Sequence, residues 1–419
     1  MKRPLLLALS LMLCLSALCS EGTWETWAPR KEIMPRCYRD TIRFRSAPDS
    51  LAISGDSNAA EYGGWIRQFT DIQPGKNYQF SAWYCSDGLT SENRQVVARI
   101  DWRKADGKRA GEPDYVFQVE ATEGDWKKIV LNVPAPPNAA AAKLELLLGW
   151  APQGAVWWDD ISFKEATPPA PRIVRIGSLA LRPRNTKSAD ESVAAFCEAL
   201  DKIAADKPDI VCLGECITKI GTQLTMEQVA ETIPGPSTEK LGAKAAQHKM
   251  YVVAGLIERE GNAIYNTAVL IGRDGKLAGK YRKVYLPREE VEAGVTPGTM
   301  YPVFNTDFGK VGMMVCYDGF FPDPARALAA KGAEIICFPV WGCDWDLMKA
   351  RANENHVYLV SAGYDAKTAV IDPKGNVIHE TNESGTFKVF PVDLNERCIK
   401  PWLGDMRARF FKEIRSDVR

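Results

Sequence analysis

Two residues stand where an apolar run gives out, so that a side chain leaves the core and can face a pocket. Glu215 closes the run Asp209-Ile210-Val211-Cys212-Leu213-Gly214. A carboxylate at the carboxyl edge of a buried strand is a candidate general base, because desolvation there raises its pKa toward a working value. Taken alone, such a glutamate is more often a loop charge. Cys316 follows Gly309-Lys310-Val311-Gly312-Met313-Met314-Val315 and precedes Tyr317-Asp318-Gly319-Phe320-Phe321-Pro322-Asp323. It therefore sits where a strand turns into a helix, which exposes a side chain and points backbone N–H groups inward. Alone, a cysteine after an apolar run is an ordinary core residue. Lys283, in Gly279-Lys280-Tyr281-Arg282-Lys283-Val284-Tyr285-Leu286-Pro287, reads by itself as part of a solvated basic edge. Cys216, directly after Glu215, is assigned to the core, since neighbours on a strand face opposite ways.

The elements that must position these residues change character along the chain. From 22 to about 165, strands at 65–69, 78–84, 96–102, 128–131, 144–148 and 156–158 are punctuated by Pro74-Gly75, Asp106-Gly107 and Glu123-Gly124. This predicts an antiparallel β-sandwich over 22–164. The segment 165–172, Glu-Ala-Thr-Pro-Pro-Ala-Pro-Arg, is a stiff linker. Strands and amphipathic helices then alternate: strand 173–181, helix 189–205, strand 210–213, helix 237–248 and strand 251–257. A hairpin of 266–271 and 277–281 turns at Asp274-Gly275. Strands at 311–315, 335–339, 358–362 and 368–371 and helices at 323–331 and 345–355 continue the pattern. Such alternation means α/β layering.

Taken together, Gly214-Glu215, Tyr281-Arg282-Lys283-Val284-Tyr285-Leu286-Pro287 after Asn266-Thr267-Ala268-Val269-Leu270-Ile271, Thr296-Pro297-Gly298, and Phe308-Gly309-Lys310-Val311-Gly312 leading to Cys316-Tyr317-Asp318 closely resemble the nitrilase superfamily of carbon-nitrogen hydrolases. The resemblance covers 173–415 and implies an αββα sandwich. It implies that Cys316 attacks an amide or nitrile carbon, Glu215 acts as base and Lys283 stabilises the tetrahedral intermediate, with a thioester that water then cleaves. The backbone N–H of Tyr317 is the second oxyanion donor on this reading. The family also uses a second glutamate, for which Glu292 is preferred here and Glu290 comes next. Tyr285, where many members carry histidine, and Trp341 with Gly342 are candidates for the substrate pocket. Asn353-Glu354-Asn355 looks structural. Amides or carbamoyl amides are favoured over nitriles by analogy with the family, which also implies a homodimer or larger assembly.

The first domain resembles galactose-binding-like and carbohydrate-binding jelly rolls in Ile72-Gln73-Pro74-Gly75-Lys76-Asn77-Tyr78, Gly124-Asp125-Trp126 and Val156-Trp157-Trp158-Asp159-Asp160. That implies a carbohydrate ligand, and a glycan-linked or cell-wall amide is the hypothesis that would connect both domains. Most of Trp65, Trp83, Trp102, Trp126, Trp157 and Trp158 are nevertheless read as packing. A competing reading keeps the sandwich as glycan binder and makes the second domain catalytically silent, against which the intact Glu215, Lys283 and Cys316 stand.

Composition excludes other classes. The 419 residues carry 53 basic and 53 acidic side chains, so no global field holds nucleic acid. Only His248, His356 and His379 exist, none in a metal-ligand pair, so neither metal nor cofactor is expected. Met1-Lys2-Arg3 and the apolar run 5–18 have the form of a secretory signal over 1–20, giving a periplasmic or extracellular protein, with Cys19 offering lipoprotein anchoring as the minor alternative. Without Cys14 and Cys19, nine of the 11 cysteines remain, and Cys37 and Cys85 are candidates to pair in an oxidising compartment.

Overall fold

The computed structural model describes residues 22–415; the signal-like segment 1–20 lies outside them. The chain divides into two compact units, one of residues up to 169 together with 399 onward, the other of 170–398. The segment 399–415, which the family resemblance assigned to the second domain, thus belongs to the first.

In the first unit two antiparallel sheets enclose one core. The five-stranded sheet runs Glu25–Trp27, Tyr62–Thr70, Ala141–Gly149, Val96–Arg103, Asp114–Tyr115, and the six-stranded sheet runs Arg36–Asp40, Ser50–Ser54, Ala155–Glu165, Asn77–Asp87, Trp126–Pro134, Val119–Glu123. Inward residues such as Trp65, Ile100, Trp102, Leu144 and Leu146 meet Ile53, Phe80 and Trp158 from the opposite sheet. The alternation of strand side chains decides the fate of the tryptophans. Trp65, Trp102 and Trp158 are core; Trp83 and Trp157 lie on the far face under the guanidinium groups of Arg45 and Arg43, at 3.9 and 4.2 Å from the ring centroids, and Trp126 packs beside Trp157. The same alternation separates the candidate disulfide. Cys37 packs against the core and Cys85 against the outer cluster of Ala52 and Trp157, and both are free thiols.

The second unit is built of two six-stranded sheets with helices outside them. The first is ordered Leu277–Arg282, Ala263–Ile271, Tyr251–Glu260, Ile210–Cys212, Ile173–Leu179, Phe387–Asp393, with its three middle strands from Tyr251 to Ile173 parallel. The second is ordered Val303–Asn305, Lys310–Met313, Ile335–Val340, Tyr358–Gly363, Thr368–Ile371, Val377–Thr381, again with parallel strands inside and antiparallel ones outside. Parallel strands are buried on both faces, which is why they read as unbroken apolar runs. Ile176, Cys212, Val253 and Leu270 of one sheet pack against Val311, Met313, Ile335 and Val360 of the other. The helices Ala189–Ile203 and Pro236–His248 cover the outer face of the first sheet through Val193, Phe196, Leu200 and Leu241. Asp323–Ala330 and Trp345–Asn355 accompany the second sheet, giving the αββα layering. Each residue singled out by its position now lies just past a strand's carboxyl end: Glu215 after Ile210–Cys212, Cys316 after Lys310–Met313, Trp341 after Ile335–Val340.

Candidate active site

Glu215, Lys283 and Cys316 converge, and the first two are almost wholly removed from water, at 2 and 0 % exposure. The Lys283 ammonium donates to Glu215 Oε1 at 3.0 Å and to Glu290 Oε1 at 2.7 Å. Asn266 Nδ2 bridges the same two carboxylates at 2.7 and 2.9 Å. The other Glu215 oxygen accepts the backbone N–H of Trp341 at 2.8 Å. Cys316 Sγ lies 3.5 Å from the Gly342 carbonyl and within the fields of Glu215 and Lys283. An unpaired buried charge would cost several kcal/mol, so two carboxylates around one ammonium, with an amide between them, is an arrangement that offsets desolvation.

Helical geometry corrects the choice of second glutamate. Residues 288–292 form a short helix, and side chains two apart there point to nearly opposite sides. Glu290 is therefore carried inward to Lys283, whereas Glu292 is exposed and pairs with Arg288 at 2.7 Å. Tyr285 is likewise not bonded to the cluster: its hydroxyl donates to Asp323 at 2.7 Å and its ring stacks on Phe321 at 3.9 Å. Trp341 and Gly342 do adjoin it through their backbone groups. Tyr317 is the second residue of the 3₁₀ turn Cys316–Phe320, whose first residue, Cys316, is held at φ +42°. A non-glycine residue rarely takes that conformation, and the surrounding structure must hold it there.

What holds it is Asp318, a residue the sequence singled out only as part of a motif. Its fully buried carboxylate accepts the Val315 amide at 2.8 Å, the Tyr285 amide at 3.0 Å and the Tyr281 hydroxyl at 2.7 Å. The cysteine turn is thereby pinned to the segment that carries Lys283. Asn266 was also read only within a hairpin strand and its motif; an amide in the mostly apolar Ala263–Ile271 was the available signal, because a buried amide must find partners.

The charges act on one another. Burial disfavours the Lys283 ammonium, but Glu215, Cys316 and Glu290 more than compensate and its pKa is raised. Burial likewise raises Glu290, with Lys283 opposing. The Cys316 thiol is pushed up to about 12, first by burial and then by the charge of Glu215, with Lys283 opposing. At neutral pH the sulfur keeps its proton. Two carboxyl groups, an ammonium and a protonated thiol thus meet at one site.

A sequence model of the carbon-nitrogen hydrolase family matches residues 175–396. The chain belongs to the carbon-nitrogen hydrolase family. Relatives of this hydrolase include the omega-amidase NIT2 of Mus musculus, 29% identical over 272 residues that span 58% of this chain and 96% of that protein. A probable nitrilase of Schizosaccharomyces pombe is 36% identical over 214 residues, covering 46% of this chain and 77% of its own. In fold, the hydrolase is similar to the C. elegans NitFhit crystal structure, with a TM-score of 0.50 at 22% identity over 59% of this chain and 66% of that one.

Proposed function

We propose that this hydrolase cleaves the carbon–nitrogen bond of a linear amide through a thioester on Cys316. Glu215 takes the thiol proton as Sγ attacks the carbonyl carbon. The resulting oxyanion is met by the Lys283 ammonium and the Tyr317 backbone N–H. When the C–N bond breaks, the proton passes from Glu215 to the departing nitrogen, and ammonia or an amine leaves. Water, deprotonated by the same carboxylate, then attacks the thioester; the thiolate departs and regains its proton, and the carboxylic acid is released. Glu290 and Asn266 keep Lys283 and Glu215 in register.

The observation that carries this reading is the 3.0 Å contact of Lys283 with Glu215 in a buried cluster whose charges act on Cys316. A thiol held near 12 needs a base at the moment of attack, and Glu215 is the carboxylate beside it. The choice of amides is supported by the name of the mouse relative, an omega-amidase. The test is ammonia release from a panel of small amides, carbamoyl compounds and nitriles, run beside Cys316→Ala. Release from an amide, abolished by the substitution, is the expected result; release from nitriles alone sinks the amide assignment. Saccharide recognition by the first unit and an exported location belong to the same proposal. The first rests on its two-sheet architecture and on sequence resemblance, and a panel of oligosaccharides that leaves the melting temperature of the full chain unmoved overturns it.

A further inference from the structure

Just past the strand Tyr358–Gly363, Tyr364 touches the main chain of Glu215 and Asp365 touches its partner Trp341, and the chemistry above uses neither. The Tyr364 hydroxyl donates to the main-chain carbonyl of Glu215 at 2.8 Å, and its ring meets that of Trp341 edge-on, with centroids 5.2 Å apart. Asp365 Oδ2 accepts the Trp341 indole N–H at 3.0 Å. The backbone amides of Asp365 and Ala366 donate to the Trp341 carbonyl at 2.8 and 3.2 Å. Arg182 in turn donates to Asp365 Oδ1 at 2.5 Å and lies 5.8 Å from the ring centroids of both Trp341 and Tyr364. The fit is close enough that a Cβ at Gly214 would come within 2.4 Å of the Tyr364 hydroxyl oxygen.

Lys283 and Asn266 bind Glu215 at Oε1 alone, and a carboxylate held at one oxygen can still turn about its last bond. The Trp341 amide on Oε2 fixes its plane, and Asp365 fixes Trp341. Tyr364 fixes the main chain from which the side chain springs. We propose that Tyr364 and Asp365 are positioning residues that hold the Glu215 carboxylate in the plane from which it takes the Cys316 proton, with Arg182 locking Asp365. This rests on Glu215 being the base. Proton transfer needs donor and acceptor within about 2.6–3.2 Å, and a misplacement of about 1 Å can cost on the order of a hundredfold in rate.

The test uses the full chain carrying Tyr364→Phe, Asp365→Ala or Asp365→Asn, with Glu215→Gln as the reference for a lost base. Two readouts are taken: kcat and KM on a responsive amide, and the rate at which iodoacetamide alkylates Cys316, followed on its peptide by mass spectrometry. Tyr364→Phe and Asp365→Ala are expected to lower kcat about 10-fold while KM stays within about twofold. Cys316 alkylation should slow toward the Glu215→Gln rate, and Asp365→Asn, which keeps an oxygen for the indole, should recover most of both. Loss of the half-buried Tyr364 hydrogen bond alone lowers Tm by roughly 2–4 °C. If Tm falls that far while kcat and alkylation stay at wild-type values, the residues are structural and the proposal fails. Should the wild type release ammonia from no amide, the reaction assigned above fails, while the alkylation rates still decide whether Tyr364 and Asp365 set the approach of Glu215 to Cys316.

Discussion

Glu290 and Glu292 lie two residues apart on one short helix, yet only Glu290 shares the Lys283 ammonium. Glu290→Gln is expected to lower kcat roughly a hundredfold, since Lys283 then faces the oxyanion without its second anchor, while Glu292→Gln stays within about twofold. Steady-state kinetics of the two variants side by side checks this. Stability carries a second sign. Because the folded-state pKa of Glu290 is raised, the folded chain binds its proton more readily than the unfolded chain does. That contribution is full below the ordinary carboxylate value and is lost as pH rises through the raised one. The Tm advantage of wild type over Glu290→Gln should therefore shrink across that window, which a calorimetric pH series measures; an advantage that grows with pH contradicts the burial of this carboxyl. The sequence narrowed the second glutamate to Glu292 and then Glu290, both shortly before Thr296-Pro297-Gly298. The choice turned on helical phase, which a five-residue helix does not announce.

The elements put the site at the carboxyl ends of strands from two facing sheets, and one buried carboxylate ties their loops together. Asp318→Ala orphans the Val315 and Tyr285 amides and the Tyr281 hydroxyl. It is expected to lower Tm by at least about 5 °C and kcat at least about 10-fold, because the strained turn at Cys316 loses its restraint. A variant with wild-type Tm and kcat would show that the turn holds itself. The buried strands of the second unit and the hairpin at Asp274-Gly275 were legible as apolar runs and turn residues. The strand Phe387–Asp393 was not. Its pattern is only partly apolar, and it exists by pairing with Ile173–Leu179, more than 200 residues earlier in the sequence. In the first unit Ser50–Ser54 was missed for the same reason, since it pairs with the far-removed Ala155–Glu165, and Arg36–Asp40 is a strand because it in turn pairs with Ser50–Ser54.

At the scale of the molecule, the chain leaves the first unit at 169 and returns to it at 399. Within that unit Phe411 stacks on Phe117 at 5.0 Å, Asn93 donates to the carbonyls of Phe411 and Ile414 at 3.2 Å, and Lys412 donates to the Val96 carbonyl at 2.6 Å. No local pattern could have told that the helix Met406–Glu413 belongs to a unit some 240 residues upstream. Ending the chain after Cys398 is expected to lower the unfolding temperature of the first unit while leaving that of the second, and ammonia release, in place. Scanning calorimetry with an activity assay reads both, and a loss confined to the second unit contradicts the assignment of the tail. The reaction itself is tested most directly by quenching the full chain in acid during turnover of a responsive amide and weighing it intact, then as peptides. The expected result is a gain equal to the acyl group, located on the peptide that holds Cys316 and absent from Cys316→Ala. An acyl group located on another residue, or turnover that survives in Cys316→Ala, would contradict a thioester at Cys316.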